Sequence, residues 1–115
     1  MTMATCTTTK TDQIRILNDA FRQSFVGGRV MMTSGVRALD DADRLTLLAA
    51  VQTFEDFTPD NDPHREHDFG RIEINGDGFF WKLDYYDLQS RGGSPDPADP
   101  AVTTRVLTII CAEEY

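Results

Sequence analysis

The segment that most constrains the fold is residues 69–86. Phe69-Gly-Arg-Ile-Glu-Ile and Phe79-Phe-Trp-Lys-Leu-Asp-Tyr-Tyr are strand-like runs that flank Asn75-Gly76-Asp77-Gly78. Asn and Gly tolerate positive φ, so the segment predicts a β-hairpin. In the second run Phe79, Trp81, Leu83 and Tyr85 share one face, while Phe80, Lys82, Asp84 and Tyr86 share the other. The alternation turns the first set toward the core. Phe80 and Tyr86 then point outward, where aromatic side chains suit a contact surface.

The flanking sequence supplies helices and more strands. Thr9 to Asp12 is a helix-start signal, and Ile14, Leu17, Phe21 and Phe25 follow at spacings of three and four. Gly27-Gly28 is expected to end that helix. Residues 29–33 read as a short strand broken by Ser34-Gly35. Asp40 or Asp41 caps a second helix to about Phe54, with Leu45, Leu48, Val51 and Gln52 on its inner side. Residues 58–63 form a turn-rich loop. Residues 87–100 form a long connector, within which Ser94-Pro-Asp-Pro-Ala-Asp-Pro, with three prolines, is not a strand. Residues 102–112 carry apolar and β-branched residues on both faces, which suits a strand covered on both sides, although their length also permits a helix. The order α-β-α-β-β-β predicts an α+β fold. Two helices pack on one face of a small, mainly antiparallel sheet of about four strands. Residues 1–10 read as a flexible tail and residues 11–115 as a single domain.

The chain has 115 residues and a formal charge of −8. Such a charge repels nucleic acid and anionic membranes, so neither is expected as a direct partner, and it favours basic partners. No run approaches the ~18 apolar residues of a membrane span, and the first residues lack the pattern of a signal peptide. Cys6 and Cys111 have no metal-type or disulfide-framework spacing, which fits a reducing, cytoplasmic setting.

The charge is polarised along the chain. Residues 1–37 carry a net +3 and residues 38–115 a net −11; residues 55–99 alone hold 12 acids against 4 bases. The candidate partner-binding residues are Glu55, Asp56, Asp60, Asp62, Glu66, Asp68, Asp77, Asp84 and Asp87, with Tyr86 beside them. Such a surface imitates a phosphate backbone and steers toward Lys/Arg-rich grooves. The same acids also suit ordinary turn chemistry, Asp96 and Asp99 above all. Convergence on one face of the fold favours the first reading, and dispersal favours the second.

Catalytic signatures are absent from the sequence. Asp60-Asn-Asp-Pro-His-Arg-Glu-His-Asp68 gathers both histidines, and a metal-binding module or small metal-assisted hydrolase would use His64, Glu66, His67 and Asp68. There is no H-E-x-x-H. As a calcium loop the segment has Arg65 where glycine is required and Arg71 where the terminal glutamate belongs. No serine lies in a G-x-S-x-G elbow, and Gly27-Gly28 and Gly92-Gly93 match no phosphate-binding loop. No cofactor and no catalytic residue are expected.

Three blocks carry a resemblance. They are Ile16-Leu-Asn-Asp-Ala-Phe-Arg-Gln-Ser-Phe-Val-Gly-Gly-Arg-Val-Met, then Phe57-Thr-Pro-Asp-Asn-Asp-Pro-His-Arg-Glu-His-Asp-Phe-Gly, then Phe79-Phe-Trp-Lys-Leu-Asp-Tyr-Tyr-Asp followed by Gly93-Ser-Pro-Asp-Pro-Ala-Asp-Pro. Together they resemble a family of small uncharacterised proteins of alphaproteobacteria, often carried on plasmids and prophages. The likeness spans nearly the whole chain after residue 11 and implies no established activity. Compact acidic proteins of mobile elements include anti-CRISPR proteins, and the chain is similar to an inhibitor of a type I system. The resemblance therefore implies a non-enzymatic inhibitor that binds a basic nucleoprotein effector, the type I surveillance complex, and blocks its DNA binding. No residue role transfers by motif. An interaction subunit of a plasmid maintenance system is a further alternative.

Overall fold

The hairpin forms as expected, with a tighter turn. In the computed structural model, which describes residues 9–115, β2 (Phe69–Ile74) pairs antiparallel with β3 (Asp77–Tyr86), Ile74 standing opposite Asp77. The turn is therefore Asn75-Gly76 alone. Both residues adopt positive φ, 53° and 86°, the geometry that matches the right-handed twist of paired strands.

Among the described residues, three helices and a four-stranded mixed sheet make an α+β fold. The helices are α1 (Lys10–Ser24), α2 (Ser34–Arg37) and α3 (Asp41–Gln52). The other strands are β1 (Arg29–Met32) and β4 (Thr104–Cys111). The sheet order is β1-β4-β3-β2. β1 runs parallel to β4, while β4 and β2 run antiparallel to β3. Most of the expected tail, residues 1–8 with Cys6, lies outside the described residues. Thr9 and Lys10 already belong to the start of α1.

Thr9 caps α1 reciprocally: its hydroxyl accepts from the Asp12 amide, and the Asp12 carboxylate accepts from the Thr9 amide. The Arg15 guanidinium on Asp12, with the Thr9 bonds, holds the Asp12 carboxyl below its usual value. The expected glycine stop is displaced. Phe25 itself takes the left-handed cap at φ 60°, two residues before Gly27, and its partly buried ring packs on the core. Packing thus outweighs the usual preference for glycine.

The core lies between the helices and one sheet face: Phe21, Val36, Leu47, Val51, Ile72, Phe79, Trp81, Leu83, Leu107 and Ile109. Phe79, Trp81 and Leu83 point inward as the alternation predicts, and Tyr85 follows them half-buried. The inner stripe of α3 holds Val51, buried, and Leu48, partly buried against the core, as expected, but runs through buried Leu47 and not Leu45, which is 67% exposed. Leu45 lies two residues before Leu47, about 200° away around the helix.

Two further expectations change in the structure. Ser34-Gly35 does not merely break β1; it opens the short α2, whose start is held by Glu114. That carboxylate accepts from the Thr33 hydroxyl (2.5 Å), the Ser34 hydroxyl (3.1 Å) and the Gly35 amide (3.0 Å). These bonds lower its pKa to about 2. β4 is central but covered fully on one face only. On the other face Val106 and Thr108 are partly exposed, while the C-terminal turn brings Tyr115 to 4.9 Å from the Phe80 ring, beside buried Ile110.

Candidate functional site

The α3–β2 loop, residues 53–68, is the acid-rich segment, and α1 determines its shape. Asn61 organises the first half: its side chain accepts from the Thr58 amide and donates to Asp56 O. Asp62 organises the second half, accepting from the His67 amide at 3.1 Å while itself only 5% exposed. From α1, Arg15 donates to Arg65 O and Asn18 donates to Glu66 O. Arg65 and His67 sit at φ 60° and 56°, conformations unfavourable for residues with a Cβ that persist only when surrounding bonds over-determine them.

His67 is the centre of this anchorage. Its Nδ1 lies 2.9 Å from Asp19 Oδ1, and its ring stacks on Phe57 at 3.7 Å and 1°. Nε2 stands 3.7 Å from Asp62 Oδ2. A groove of about 1000 Å³ opens between this loop and the start of α1, lined by Thr11, Arg15, Thr58, His64, Arg65 and His67 among others.

The four residues considered for a metal do not converge. His64 is exposed, and His67 is engaged by Asp19. The Glu66 carboxylate accepts from the Tyr85 hydroxyl. Asp68 is half-buried, and that burial, with Glu66 nearby, raises its pKa. Among the described residues no three His, Cys, Asp or Glu side chains are grouped to hold an ion. Positive φ at Arg65 and His67 turns successive side chains of the loop in different directions, which the spacing of His64 and His67 does not reveal.

The acidic candidates separate by environment. Glu55, Asp56 and Asp60 are exposed on the loop. Asp62 and Glu66 are spent inward. Asp77 sits at the hairpin turn, and Asp84 and Asp87 lie toward the other end of β3, about 23 Å along the strand from Asp77 to Asp84 at 3.3 Å per residue. Asp84 approaches Lys82 at 3.3 Å, and Asp87 accepts from the Arg91 amide. Asp96 and Asp99 do turn work: Asp96 accepts from the Ala98 amide, and Asp99 caps the 3-10 turn at Pro100–Val102. Half-buried Tyr86 lines a shallow apolar hollow with Met31 and Val106 on the sheet face away from the helices. On the same face Phe80 stacks against Phe69 at 5.3 Å.

Several organising residues carried little sequence signal. Asn18 is fully buried and links three elements: it donates to the Tyr85 hydroxyl, donates to Glu66 O and accepts from Arg105 Nε. Arg105, 3% exposed, also donates to Pro97 O and lies 5.3 Å from the Tyr85 ring centre, and burial lowers its pKa. A polar residue within an apolar helical stripe, such as Asn18 between Ile14 and Phe21, is the one clue available beforehand.

Residues 32–114 match a family described as a protein of unknown function, DUF3768. The chain belongs to that family, the small uncharacterised class that its compact α+β fold suits. No curated protein and no solved structure matches it. Among the described residues no helix is long and apolar enough to cross a membrane.

Proposed function

We propose that the chain is a non-enzymatic binding module that presents the acidic α3–β2 loop to the basic, nucleic-acid-binding surface of a partner. The acids as a set do not gather in one place, so the reading narrows to the α3–β2 loop, and the observation that carries it is the contrast within that loop. Asp62 and Glu66 turn inward and fasten it, while Glu55, Asp56 and Asp60 stay exposed with no cationic side chain within 4.0 Å among the described ion pairs. A loop held in one shape loses little freedom on docking, and its charge complements a Lys/Arg groove.

The narrower form of the proposal is an inhibitor of a nucleoprotein effector in a bacterial host, of the anti-CRISPR kind, carried by a mobile element of alphaproteobacteria. Charge sign, small size and the resemblance described above support it. The effector named by that resemblance is a type I surveillance complex, and blocked DNA binding is the expected effect.

The test is direct. A purified type I surveillance complex is titrated with the chain and its binding to target DNA is measured. The chain should displace DNA, and less so as salt rises. The Glu55→Lys/Asp56→Lys/Asp60→Lys variant should compete at least about tenfold less well, equivalent to 1.4 kcal/mol. Unchanged DNA binding at saturating chain removes the narrower proposal. Equal competition by the triple variant removes the loop from it. Asp62 is left intact because its burial makes reversal a test of folding instead.

A further inference from the structure

We propose that the free edge of β2 pairs with the same edge of a second copy of this chain, in one register chosen by charge. β2 is the last strand of the sheet, and among the described residues only β3 pairs with it. The direction of its backbone groups follows from one bond. Leu83 N donates to Asp68 O, and the register places Phe69 opposite Lys82, so residues 68 and 83 form a hydrogen-bonded pair. In an antiparallel ladder such pairs alternate along the strand. Gly70, Ile72 and Ile74 therefore direct N–H and C=O toward β3. Phe69, Arg71 and Glu73 direct theirs to the free edge.

Unpaired edge groups are a template for another strand, and charged side chains ordinarily guard against that. Here the guard is self-complementary. Four two-fold registers that pair outward groups centre within Gly70–Glu73; the one on Gly70 sets Arg71 opposite Phe69 and pairs no opposite charges. Centring on Arg71 sets two arginines opposite each other, and centring on Glu73 sets two glutamates opposite each other. Centring on Ile72 sets Arg71 opposite Glu73 of the second copy, and Glu73 opposite its Arg71. Opposite charges directly across an antiparallel pair are stabilising and like charges are not. Both side chains are available, 53% and 61% exposed, and their contact within one chain is a long 3.5 Å. The charge of −8 on each copy opposes approach, and a Debye length of about 8 Å at physiological salt confines that opposition to groups near the edge. The product is a continuous eight-stranded sheet across a two-fold axis, an isologous contact.

Sedimentation equilibrium from about 1 µM to about 1 mM, the range of moderate to weak association, tests this. The wild-type chain should dimerise within that range. Arg71→Glu and Glu73→Arg should each weaken self-association at least about tenfold, because each sets like charges opposite each other in every copy. An equimolar mixture of the two variants should associate as well as wild type, since one then contributes two acids and the other two bases. The double swap Arg71→Glu/Glu73→Arg should also dimerise. Far-UV circular dichroism matching wild type establishes that each variant is folded. A monomeric wild-type chain, single variants that dimerise normally, or a mixture that stays monomeric would each overturn the proposal.

Discussion

The Tyr85 hydroxyl donates to Glu66 Oε1 at 2.9 Å while it accepts from Asn18 Nδ2 at 2.7 Å. This contact joins β3 to the acidic loop and, through Asn18, to α1 and Arg105 of β4. It also explains why an acid counted as surface charge is withdrawn from the surface. Burial is the main reason the Tyr85 hydroxyl is pushed far above its usual pKa, so it stays a donor over the whole range in which the protein is handled.

Tyr85→Phe should be strongly felt for a change of one atom. It leaves the Glu66 carboxylate without its donor and Asn18 Nδ2 with only Glu66 O as acceptor in a half-buried site. Unfolding in urea should show a loss of about 1–3 kcal/mol, the cost of orphaned buried polar groups. The double variant Tyr85→Phe/Glu66→Leu should recover part of that loss, because both partners are then apolar.

Arg22 holds the end of α3. Its guanidinium, 1% exposed as a residue, donates to Val51 O (3.1 Å), Gln52 O (3.3 Å) and Phe54 O (3.1 Å), and pairs with Asp19 at 3.0 Å. The last carbonyls of a helix have no partner within it, so one side chain from α1 supplies them. Arg22→Met should destabilise by about 3 kcal/mol or more, the range found when one partner of a buried ionic group is removed. Hydrogen exchange should quicken first at the α3 C-terminus and along the acidic loop. Uniform protection in the variant would contradict the capping role.

Features legible beforehand share a local cause. The Thr9–Asp12 capping box, the helix cap at Asp40 or Asp41, the hairpin around Asn75-Gly76-Asp77-Gly78 and the alternation in β3 each depend on residues within a few positions of one another. Features that escaped depend on distant partners. The parallel pairing of β1 with β4 joins Arg29 to Val106. The inward turn of Asp62 and Glu66 depends on Asp19 and Asn18 of α1, nearly fifty residues earlier. Charge counting registers an aspartate but not its environment, so the acidic segment was visible while its division into anchors and exposed groups was not.

Gly70 should not tolerate a side chain. A Cβ there would collide with the Trp81 indole and stand 2.8 Å from Phe54 Cζ. Trp81 is fully buried, and its ring packs edge-on against Phe54 and Phe57, so it has no room to withdraw. Gly70→Ala should cost about 1–3 kcal/mol, as overpacked cores do, and should alter the near-ultraviolet circular dichroism of the single tryptophan. A variant with unchanged stability and spectrum would mean that the indole is free to shift.

Two carboxylates should contribute to acid stability with opposite signs. Glu114 is depressed from 4.5 to about 2 by its bonds to Thr33, Gly35 and Ser34. Its contribution is fully present above pH 4.5 and is lost as pH falls toward 2. Glu114→Gln should therefore flatten the stability profile across that window and free the start of α2. Asp68 is shifted the other way, raised above 3.8 chiefly by burial and then by Glu66. A raised carboxyl pKa means that ionisation opposes folding at neutral pH and that protonation relieves the strain. Asp68→Asn should thus raise the melting temperature at pH 7 and have little effect below pH 3, where Asp68 is protonated in both states. Thermal unfolding of the two variants from pH 2 to 7 separates them: one loses stability that depends on a carboxylate, and the other gains stability by removing one.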